Sequence, residues 1–405
     1  MEQERNTPGY EEPHISADPP VEPRKEGPTV VRAPKRKGTT GWSVVWAVSK
    51  FIWRMALGLV LMVAILAIGM IGYLTVSEYH PAYAETADRG SVNHSHAAGA
   101  RSFSLLSFNT GYGALGEDAD FFMDGGKSVL PQDETVVEDN IEGIVEILEL
   151  SQADFLMLQE VDTDSQRSFG TNQWLKYEHE LQRYESRFAL NYSCDYVPYP
   201  LTEPLGRIRS GLATYSSYDI ISATRYSLPV PTGWPERVAN LKRCLLVTRI
   251  PLEDSEQQLV LINVHMEPSD DTGTAKEQIR QLVDLVRNEY AKGNFVIAGG
   301  DFNQTFPESR AFHVEDEELW TPGKLTRVPG GLRYFYDEST PTCRLLNEPY
   351  DPDSENTRYY VIDGFLVSPN VIVDRVETLD YDFRYSDHNP VRLDFTLNFD
   401  DEAST

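Results

Sequence analysis

The stretch NFVIAGGDFNQTF, residues 294–306, places two polar side chains directly after a short apolar run. Residues 295–298 are all apolar, which predicts a strand buried on both faces, and a Gly-Gly pair ends it. Asp301 and Asn303 follow, separated by one residue. A carboxylate beside a carboxamide at the end of a buried strand raises the question of whether other strands end in the same way.

Other strand-like runs end in the same way. A single polar residue after a strand is usually a turn former, but a set that holds only Asn, Asp, Glu and His is hard to explain by turns. The further members are Asn109 in LLSFN, Glu160 in DFLMLQE, His265 in LVLINVH, Asp363 in YYVIDGF, and Asp387 with His388 in YSDHNP. If the strand ends converge at one edge, these side chains line one cleft.

The chemistry of this set points to phosphoryl transfer. Carboxylate and amide oxygens form a hard site that suits Mg²⁺ or Mn²⁺ rather than zinc. Histidines beside carboxylates serve as general acids or bases, or stabilise charge in the transition state. Hydrolysis of a phosphoester needs a metal on the phosphate oxygens, an activated water and donors for developing charge.

The order of the elements predicts a mixed sheet covered by helices. TVVEDNIEGIVEILELS and AKEQIRQLVDLVRNEYAKG carry apolar residues at helical spacing, and the short apolar runs around them indicate strands. Strands followed by helices, with several hairpin-like pairs, favour helices on the outer faces of the sheet. Three cysteines without a CxxC pattern argue against a structural zinc site and leave one disulfide or three buried thiols open.

An apolar segment of 22 residues, 55–76, carries no charge and would span about 33 Å as a helix. Lys50 and Arg54 precede it and Glu78 follows, so the positive-inside rule predicts a single-pass cell-membrane protein with a cytoplasmic N-terminus and an extracytoplasmic catalytic domain. A cleaved signal peptide is the alternative, but it rarely follows so long a polar leader. We expect an uncleaved anchor.

The segments around this helix differ in composition. We expect a disordered cytoplasmic tail over 1–41, a juxtamembrane and membrane-spanning part over 42–76, a linker over 77–100, a catalytic domain over 101–398 and an acidic tail over 399–405. From residue 77 onward the chain holds 27 Lys and Arg against 56 Asp and Glu. Such an acidic surface repels a polyanion unless cations or a local basic groove intervene.

The motifs FNT, LMLQEVD, NVHMEP, AGGDFNQTF, VIDGFLVS and SDHNPV, in this order, resemble the endonuclease/exonuclease/phosphatase superfamily. The resemblance covers residues 101–398. It implies an α/β fold of four layers, an αββα sandwich of two mixed β-sheets, here preceded by one transmembrane helix. It also implies hydrolysis of phosphoester bonds with Mg²⁺, or Mn²⁺ or Ca²⁺ in its place.

The resemblance implies a role for each motif residue. Glu160 would be the principal metal ligand, with Asn109 and Asp387 completing or flanking the metal site. Asp301 would orient or deprotonate the attacking water, and Asn303 would donate to a phosphate oxygen. The two histidines would act on the substrate. His388, held by Asp363, would contact the phosphate, and His265 would be a candidate general acid.

Two arginines are weaker candidates for contact with the substrate phosphate. Arg243 in NLKRCLLVTRI resembles an arginine that many family members carry before the histidine strand. Arg209 is another candidate, and a phosphate-facing tyrosine could be Tyr192, Tyr196 or Tyr199. The glycine-rich loop at 111–129 is either a folded loop whose aromatic residues cap the core or a lip that faces substrate or membrane.

The sequence therefore predicts a membrane-anchored, Mg²⁺-dependent phosphodiesterase or phosphatase. Its substrate is a nucleic acid, a lipid or a small phosphodiester. The acidic surface of the domain argues against a nuclease, because it repels a polyanion. A membrane anchor favours a lipid or small phosphodiester as substrate, because the tether raises the local concentration at the bilayer. A non-catalytic binding ectodomain is the alternative from another class, and it predicts loss of the polar positions, all of which are filled. No protein partner is inferred.

Overall fold

The computed structural model describes residues 27, 41–92, 96–268, 272–312 and 319–399. The predicted tails, 1–41 and 399–405, lie outside the described residues except at 27, 41 and 399. The chain forms two compact units, residues 1–64 and residues 65–405. The described part of the first unit is helical from residue 41 onward, and the second unit holds the rest of that helix and both large sheets.

The described residues contain helices of eight or more residues at four places and strands throughout the second unit. The helices are α1 (Gly41–Val76), α2 (Glu134–Ser151), α3 (Gln173–Glu180) and α4 (Thr274–Tyr290). The strands are β1 (Ala84–Thr86), β2 (Asp88–Arg89), β3 (Ser102–Asn109), β4 (Phe155–Asp162), β5 (Glu185–Val197), β6 (Gly206–Ser216), β7 (Ser222–Ser227), β8 (Cys244–Pro251), β9 (Gln258–His265), β10 (Phe295–Asp301), β11 (Gln304–Thr305), β12 (Gly323–Lys324), β13 (Arg333–Phe335), β14 (Cys343–Arg344), β15 (Tyr359–Tyr360), β16 (Asp363–Val367), β17 (Val371–Thr378) and β18 (Val391–Leu397).

Two mixed sheets of seven strands form the body of the domain. Sheet I has the order β1-β7-β8-β9-β10-β16-β13, and sheet II has the order β17-β18-β3-β4-β6-β5-β2. In sheet I, β9 and β10 are parallel, and in sheet II, β3 and β4 are parallel. Two short ladders, β11 with β12 and β14 with β15, lie outside the large sheets.

Three apolar clusters define the layers, and β10 shows why. Phe295 and Ile297 lie in the cluster between the two sheets, whereas Val296 and Ala298 lie in the cluster that α4 covers. The strand is therefore buried on both faces, as its continuous apolar run predicts. A matching cluster packs α2 against sheet II. The predicted four-layer sandwich of two mixed sheets with helices outside is confirmed.

The two long helices of the sandwich have sequence-encoded ends. Asp133 precedes α2, and its side chain accepts hydrogen bonds from the backbone N–H groups of Thr135 and Val136, which caps the helix. Near the C-terminal end of α4, the buried Glu289 carboxylate accepts hydrogen bonds from Arg249, at 2.8 Å to each oxygen. It also accepts hydrogen bonds from Lys292 and Asn294. These bonds fix α4 to sheet I.

One helix among the described residues, α1, is long and apolar enough to cross a membrane. Its charged residues, Lys50 and Arg54, lie in its first half, and the rest of the helix is apolar. An N-terminal apolar helix is thus present, as the sequence predicts.

The segment predicted as a linker, 77–100, takes part in both sheets where it is described. β1 pairs with β7 at the edge of sheet I, and β2 pairs with β5 at the edge of sheet II. Ala98 makes a further bridge to Leu252. The difference from the prediction has a simple cause: short edge strands need only backbone hydrogen bonds, so they leave no apolar periodicity in the sequence.

Candidate active site

Three predicted site residues lie in one row across sheet I. In the ladders, Asp301 is directly opposite His265 on the parallel strand β9 and directly opposite Asp363 on the antiparallel strand β16. Neighbouring strands are about 4.8 Å apart, so this register alone brings the three side chains together. The apolar run at residues 295–298 ends shortly before this row of polar side chains.

The Gly-Gly pair and the Asp-x-Asn spacing shape the end of β10. Gly300 has φ +144°, and a Cβ there would lie 2.0 Å from the carbonyl oxygen of Val264, so only glycine fits. Asn303 has φ +52°, and its backbone N–H donates to Asp301 Oδ1 at 2.7 Å. Its side-chain Nδ2 donates to Asp301 Oδ2 at 3.2 Å and to the Met266 carbonyl at 3.0 Å. The amide therefore holds the carboxylate in place.

Sheet II contributes the opposite wall of the site. Asn109, the last residue of β3, donates from Nδ2 to Asp301 Oδ2 at 3.1 Å, and its Nδ2 lies 3.4 Å from His388 Nε2. Ser386 donates from Oγ to the Asn109 carbonyl at 2.8 Å, which ties the segment before β18 to the end of β3. The two sheets thus meet at the site through Asn109.

Glu160 reaches the site because β4 is irregular there. The pairing of β4 with β6 shifts register between Leu158 and Val161, and Glu160 has φ +57°. Such a bulge turns a side chain away from the regular alternation of a strand. The Glu160 side chain is about one-quarter exposed, and its Oε1 lies 3.8 Å from His265 Nε2. It is therefore more accessible than the buried side chains of Asp301 and Asp363.

His388 and Asp363 form a buried pair. Nδ1 of His388 is 2.9 Å from Asp363 Oδ2, and both side chains are almost fully buried. Nε2 of the same ring then faces the site, 3.9 Å from Asp301 Oδ2. Burial opposes the charged ring, but the neighbouring Asp363 carboxylate favours it, and the pKa of His388 is raised well above its usual value. The pair therefore favours the protonated form of His388.

His265 has the opposite electrostatic character. Burial lowers the pKa of His265 well below its usual value, and the positive charges of Arg243 and His388 act in the same direction. Its Nε2 lies 3.6 Å from Asp301 Oδ2, and its Nδ1 has no hydrogen-bond partner among the described residues. The pKa values of the two histidines are therefore shifted in opposite directions.

The acidic side chains are crowded enough to change their own ionisation. Burial and the neighbouring charge of Asp363 raise the pKa of Asp301 to about 7, although His388 lowers it. Burial also raises the pKa of Asp387 to about 6; His388 lowers it, while Glu160 and Asp124 raise it further. A carboxylate with a pKa near neutrality can accept and release a proton at working pH.

Asp301, Asp363 and His388 each offer a ligand atom within 4.8 Å of the others, as do Cys343, Asp387 and His388, so both groups could hold a metal ion, while the set of Asn109, Glu160 and Asp387 stays a prediction. Gly111 has φ +51°, and a Cβ at this position would lie 3.0 Å from Asp387 Oδ1, so a glycine lets the backbone approach the carboxylate closely. Crowded carboxylates with an amide oxygen are the donor set that Mg²⁺ prefers. Cys343 Sγ lies near Asp387 and His388, but burial raises the pKa of this thiol to about 12. A protonated thiol is a poor metal ligand.

A buried polar layer supports the site from below. Gln159, next to Glu160, donates from Nε2 to Asn263 Oδ1 at 2.7 Å, which links the two sheets. Asn263 in turn donates to the carbonyls of Leu158 and Ala213. Gln159 lies within the bulge and Leu158 at its start, so these hydrogen bonds to Asn263 hold the bulge against sheet I.

The two arginines predicted for phosphate contact lie in different surroundings. Arg243 is buried beside the site: Nη1 donates to the His265 carbonyl at 3.2 Å, and Nε lies 3.3 Å from Glu267 Oε2. Arg209 lies on the same edge, but its guanidinium donates to Ser193 and forms an ion pair with Asp195 at 3.1 Å. Contact with phosphate stays a prediction for both.

One acidic residue near the site was missed from the sequence. Asp124 lies in a 3₁₀ turn, Phe122–Asp124, of the glycine-rich loop. Burial raises its pKa to about 6, and the charge of Glu160 adds to the effect. The available signal was the tripeptide Asp-Gly-Gly at 124–126, an acid at a turn within a long loop after the first site strand. Two aromatic residues of this loop, Phe121 and Phe122, pack against one another.

Comparisons with known proteins identify the family and the fold. The model of the Endonuclease/Exonuclease/phosphatase family matches residues 106–388. An endonuclease/exonuclease/phosphatase from Beutenbergia cavernae DSM 12333 is similar in structure, with a TM-score of 0.52 and 17% identity over 74% of this chain and 72% of that chain. A family protein from Leptotrichia buccalis C-1013-b gives a TM-score of 0.47, with 14% identity over 73% of this chain and 100% of that one. TDP2 from Caenorhabditis elegans gives a TM-score of 0.43, with 18% identity over 73% and 74%. No curated protein matches the sequence.

The chain belongs to the endonuclease/exonuclease/phosphatase family, because the family model spans more than half of it. The predicted family is confirmed. Its members are hydrolases that act on phosphoester bonds, and the described structure has the fold that this activity uses. The family uses divalent metal in general, and the acidic and histidine groups described above could hold such an ion.

Proposed function

We propose that this protein is a membrane-anchored hydrolase that cleaves a phosphoester with the help of Mg²⁺. The observation that carries the proposal is the convergence of Asn109, Asp301 and His388, from three strand ends, within 3.9 Å of one another. Burying polar and ionisable side chains together is unfavourable, because they lose their contacts with water. A functional site accounts for such a cluster of residues that are distant in sequence.

The proposed roles follow from the contacts. Asp301, held by Asn303 and Asn109, accepts the proton of the attacking water, because its pKa of about 7 suits a general base. His388, kept cationic by Asp363, donates to a phosphate oxygen as negative charge develops. Glu160, Asp387 and Asn109 would hold the metal, which when bound polarises the phosphoryl group and lowers the pKa of water. Neutral His265 and Arg243 complete the wall that faces the substrate.

The test uses the full chain in detergent with a soluble phosphodiester, bis(p-nitrophenyl) phosphate. Hydrolysis should stop in EDTA and return with magnesium. Asp301→Asn and His388→Gln should each reduce the rate by about 10²-fold or more. His179→Gln is the matched control, since its side chain is 78% exposed. Full activity of both site variants in a folded protein would show that the site is misassigned.

We also propose that the sandwich lies outside the cytoplasm. The basic residues before the apolar segment and the acidic ones after it support this orientation. The three native cysteines are buried, so a cysteine at the exposed Ile372 reports the side directly. A membrane-impermeant maleimide should label Ile372→Cys in intact cells; labelling that occurs only after lysis would reverse the orientation.

A further inference from the structure

The last turn of α1 is bound to the sandwich by specific side-chain contacts. The described contacts all join residues of the second unit. Leu74 is buried in a cluster with Val197 and Leu205, and Tyr73 donates from its hydroxyl to Asp195 Oδ2 at 2.9 Å. The helix therefore ends in a packed contact with β5 and the loop that follows it.

A buried carboxylate secures the chain just beyond the helix. The Glu78 side chain is 2% exposed, and its oxygens lie 3.2 Å from Lys242 Nζ and 3.3 Å from Arg237 Nε. His80 Nε2 lies 3.3 Å from the second oxygen. Removing a partner from a buried charge is strongly destabilising. We call this junction, residues 73–80 with their partners, the joint; its contacts all lie within the second unit.

The loops at this joint project from the same edge of the sandwich as the candidate site. Strand β6 runs antiparallel to β4, so the loop between β5 and β6, residues 198–205, lies at the end of β4 that carries Glu160. Strand β8 runs antiparallel to β9, so the loop between β7 and β8, residues 228–243, lies at the end of β9 that carries His265. Both loops therefore lie beside the site.

The separation between the joint and the site is small. In sheet II, β5 lies two strands from β4, and in sheet I, β7 lies two strands from β9, which corresponds to about 10 Å in each sheet. The Tyr199 ring in the first loop lies 5.5 Å from the ring of Phe122 in the glycine-rich loop. The glycine-rich loop, which also carries Asp124, therefore packs against one of the loops at the joint.

The two loops expose large apolar side chains next to the helix end. Leu201 is 87% exposed, Trp234 is 60% exposed and Tyr199 is 59% exposed. Trp234 also donates from Nε1 to Thr75 Oγ1 at 3.1 Å, so it lies against the end of the apolar helix. Tryptophan and tyrosine are enriched at the interface between bilayer and water. A bilayer around the helix would cover this apolar surface.

We propose that the edge of the sandwich that carries the site faces the membrane, with residues 198–205 and 228–237 in the lipid headgroup layer, and that the substrate is a phosphoester of a lipid headgroup. The inference rests on the proposed phosphoester hydrolysis and on α1 crossing the membrane. A lipid phosphate carries one or two charges, so the acidic domain repels it far less than a polynucleotide.

Fluorescence quenching in full-chain protein tests the orientation. Because the native cysteines are buried, an environment-sensitive dye can be placed on Leu201→Cys, on Ile372→Cys and on Leu61→Cys. Ile372 is an exposed aliphatic residue at the start of β17, on the opposite edge of the sandwich. Leu61 lies within α1. The proteins are placed in vesicles of phosphatidylcholine and phosphatidylglycerol, in EDTA to prevent turnover, with nitroxide-labelled lipid as the quencher.

The three labels separate the possible outcomes. We expect strong quenching at 61 and 201 and none at 372. Quenching at 61 but equal, weak quenching at 201 and 372 would overturn the membrane-facing edge while leaving the anchor intact. Absence of quenching at 61 would overturn the anchor and the inference together. Protection of 201 by a second copy or a protein partner would appear as a blue shift without lipid quenching, which also overturns it.

A turnover experiment tests the substrate class separately. Full-chain protein with magnesium should release phosphorylated headgroup or phosphatidate from the same vesicles. Leu201→Glu should lower the ratio of vesicle to soluble phosphodiester hydrolysis by about tenfold, because a charge in the headgroup layer opposes docking, whereas Ile372→Glu should leave that ratio unchanged. Hydrolysis of the soluble ester without lipid turnover would overturn the lipid substrate but not the hydrolase. Hydrolysis of neither would overturn the proposed function itself.

Discussion

Replacing Asp363 with asparagine tests the electrostatic logic of the site. The carboxylate accepts a hydrogen bond from His388 at 2.9 Å in a buried environment. A hydrogen bond to a charged group contributes about 1.5–3 kcal/mol. At 1.36 kcal/mol per pKa unit, its loss lowers the pKa of His388 by about one to two units. The same energy, if it is expressed in the transition state, corresponds to a rate loss of about 10- to 100-fold.

The change also acts on the base. The negative charge of Asp363 helps to raise the pKa of Asp301 to about 7, so its removal lowers that pKa. Activity requires Asp301 deprotonated and His388 protonated. Both limbs of the pH–rate profile should therefore move to lower pH in Asp363→Asn, and the peak should fall.

The assay is kcat/KM for a soluble phosphodiester across pH at saturating magnesium, for the wild type, Asp363→Asn and the control Asp374→Asn. Asp374 is exposed and accepts a hydrogen bond from Thr396 on the sheet surface, so its variant should keep the wild-type profile. A lower peak without movement of either limb would refute the assigned protonation states. Movement of the alkaline limb to higher pH would do so as well.

Three further predictions concern stability and metal binding. Glu289→Gln should lower the free energy of unfolding by about 3 kcal/mol at pH 7. Burial opposes the Glu289 carboxylate, but its hydrogen bonds, that from Arg249 first, lower its pKa from 4.5 to about 2. The wild-type advantage is therefore present above pH 4.5 and disappears toward pH 2. Urea unfolding across pH measures it, and a difference that is independent of pH would contradict it. Gly300→Ala should cost about 2–5 kcal/mol in the same assay, because the new Cβ meets a backbone oxygen at 2.0 Å, whereas Gly233→Ala, with open space around it, should stay within about 0.5 kcal/mol. Glu160→Gln should raise the magnesium concentration for half-maximal activity by about tenfold or more, and unchanged calorimetric affinity would remove Glu160 from the metal site.

The fold was predictable where the apolar pattern is strong. The continuous run before Asp301 predicts a strand buried on both faces, and the register of that strand places Asp301 beside His265 and Asp363. A single polar residue after a strand is usually a turn former, but a set at several strand ends that holds only Asn, Asp, Glu and His is hard to explain by turns, so these positions could be found without coordinates.

Other features depend on geometry that leaves little trace in the sequence. The bulge at Glu160 is a local change of register, and nothing in LMLQEVD distinguishes it from a regular strand end. The position of Asp124 beside Glu160 depends on how a long loop folds back. The joint at Glu78 needs partners about 160 residues further along the chain, a separation that periodicity cannot reveal.

The edge strands β1 and β2 bear on how the domain folds as it is synthesised. Residues 84–89 follow α1 closely, but Ala84 pairs with Tyr226 and Arg89 with Arg187. The first strands of the domain to be synthesised therefore wait for partners that emerge about 100 to 140 residues later, which favours slow folding. A protein cleaved after residue 89 would lose both strands and present two open sheet edges, and such edges promote aggregation. The stretch that follows α1 thus completes both sheets.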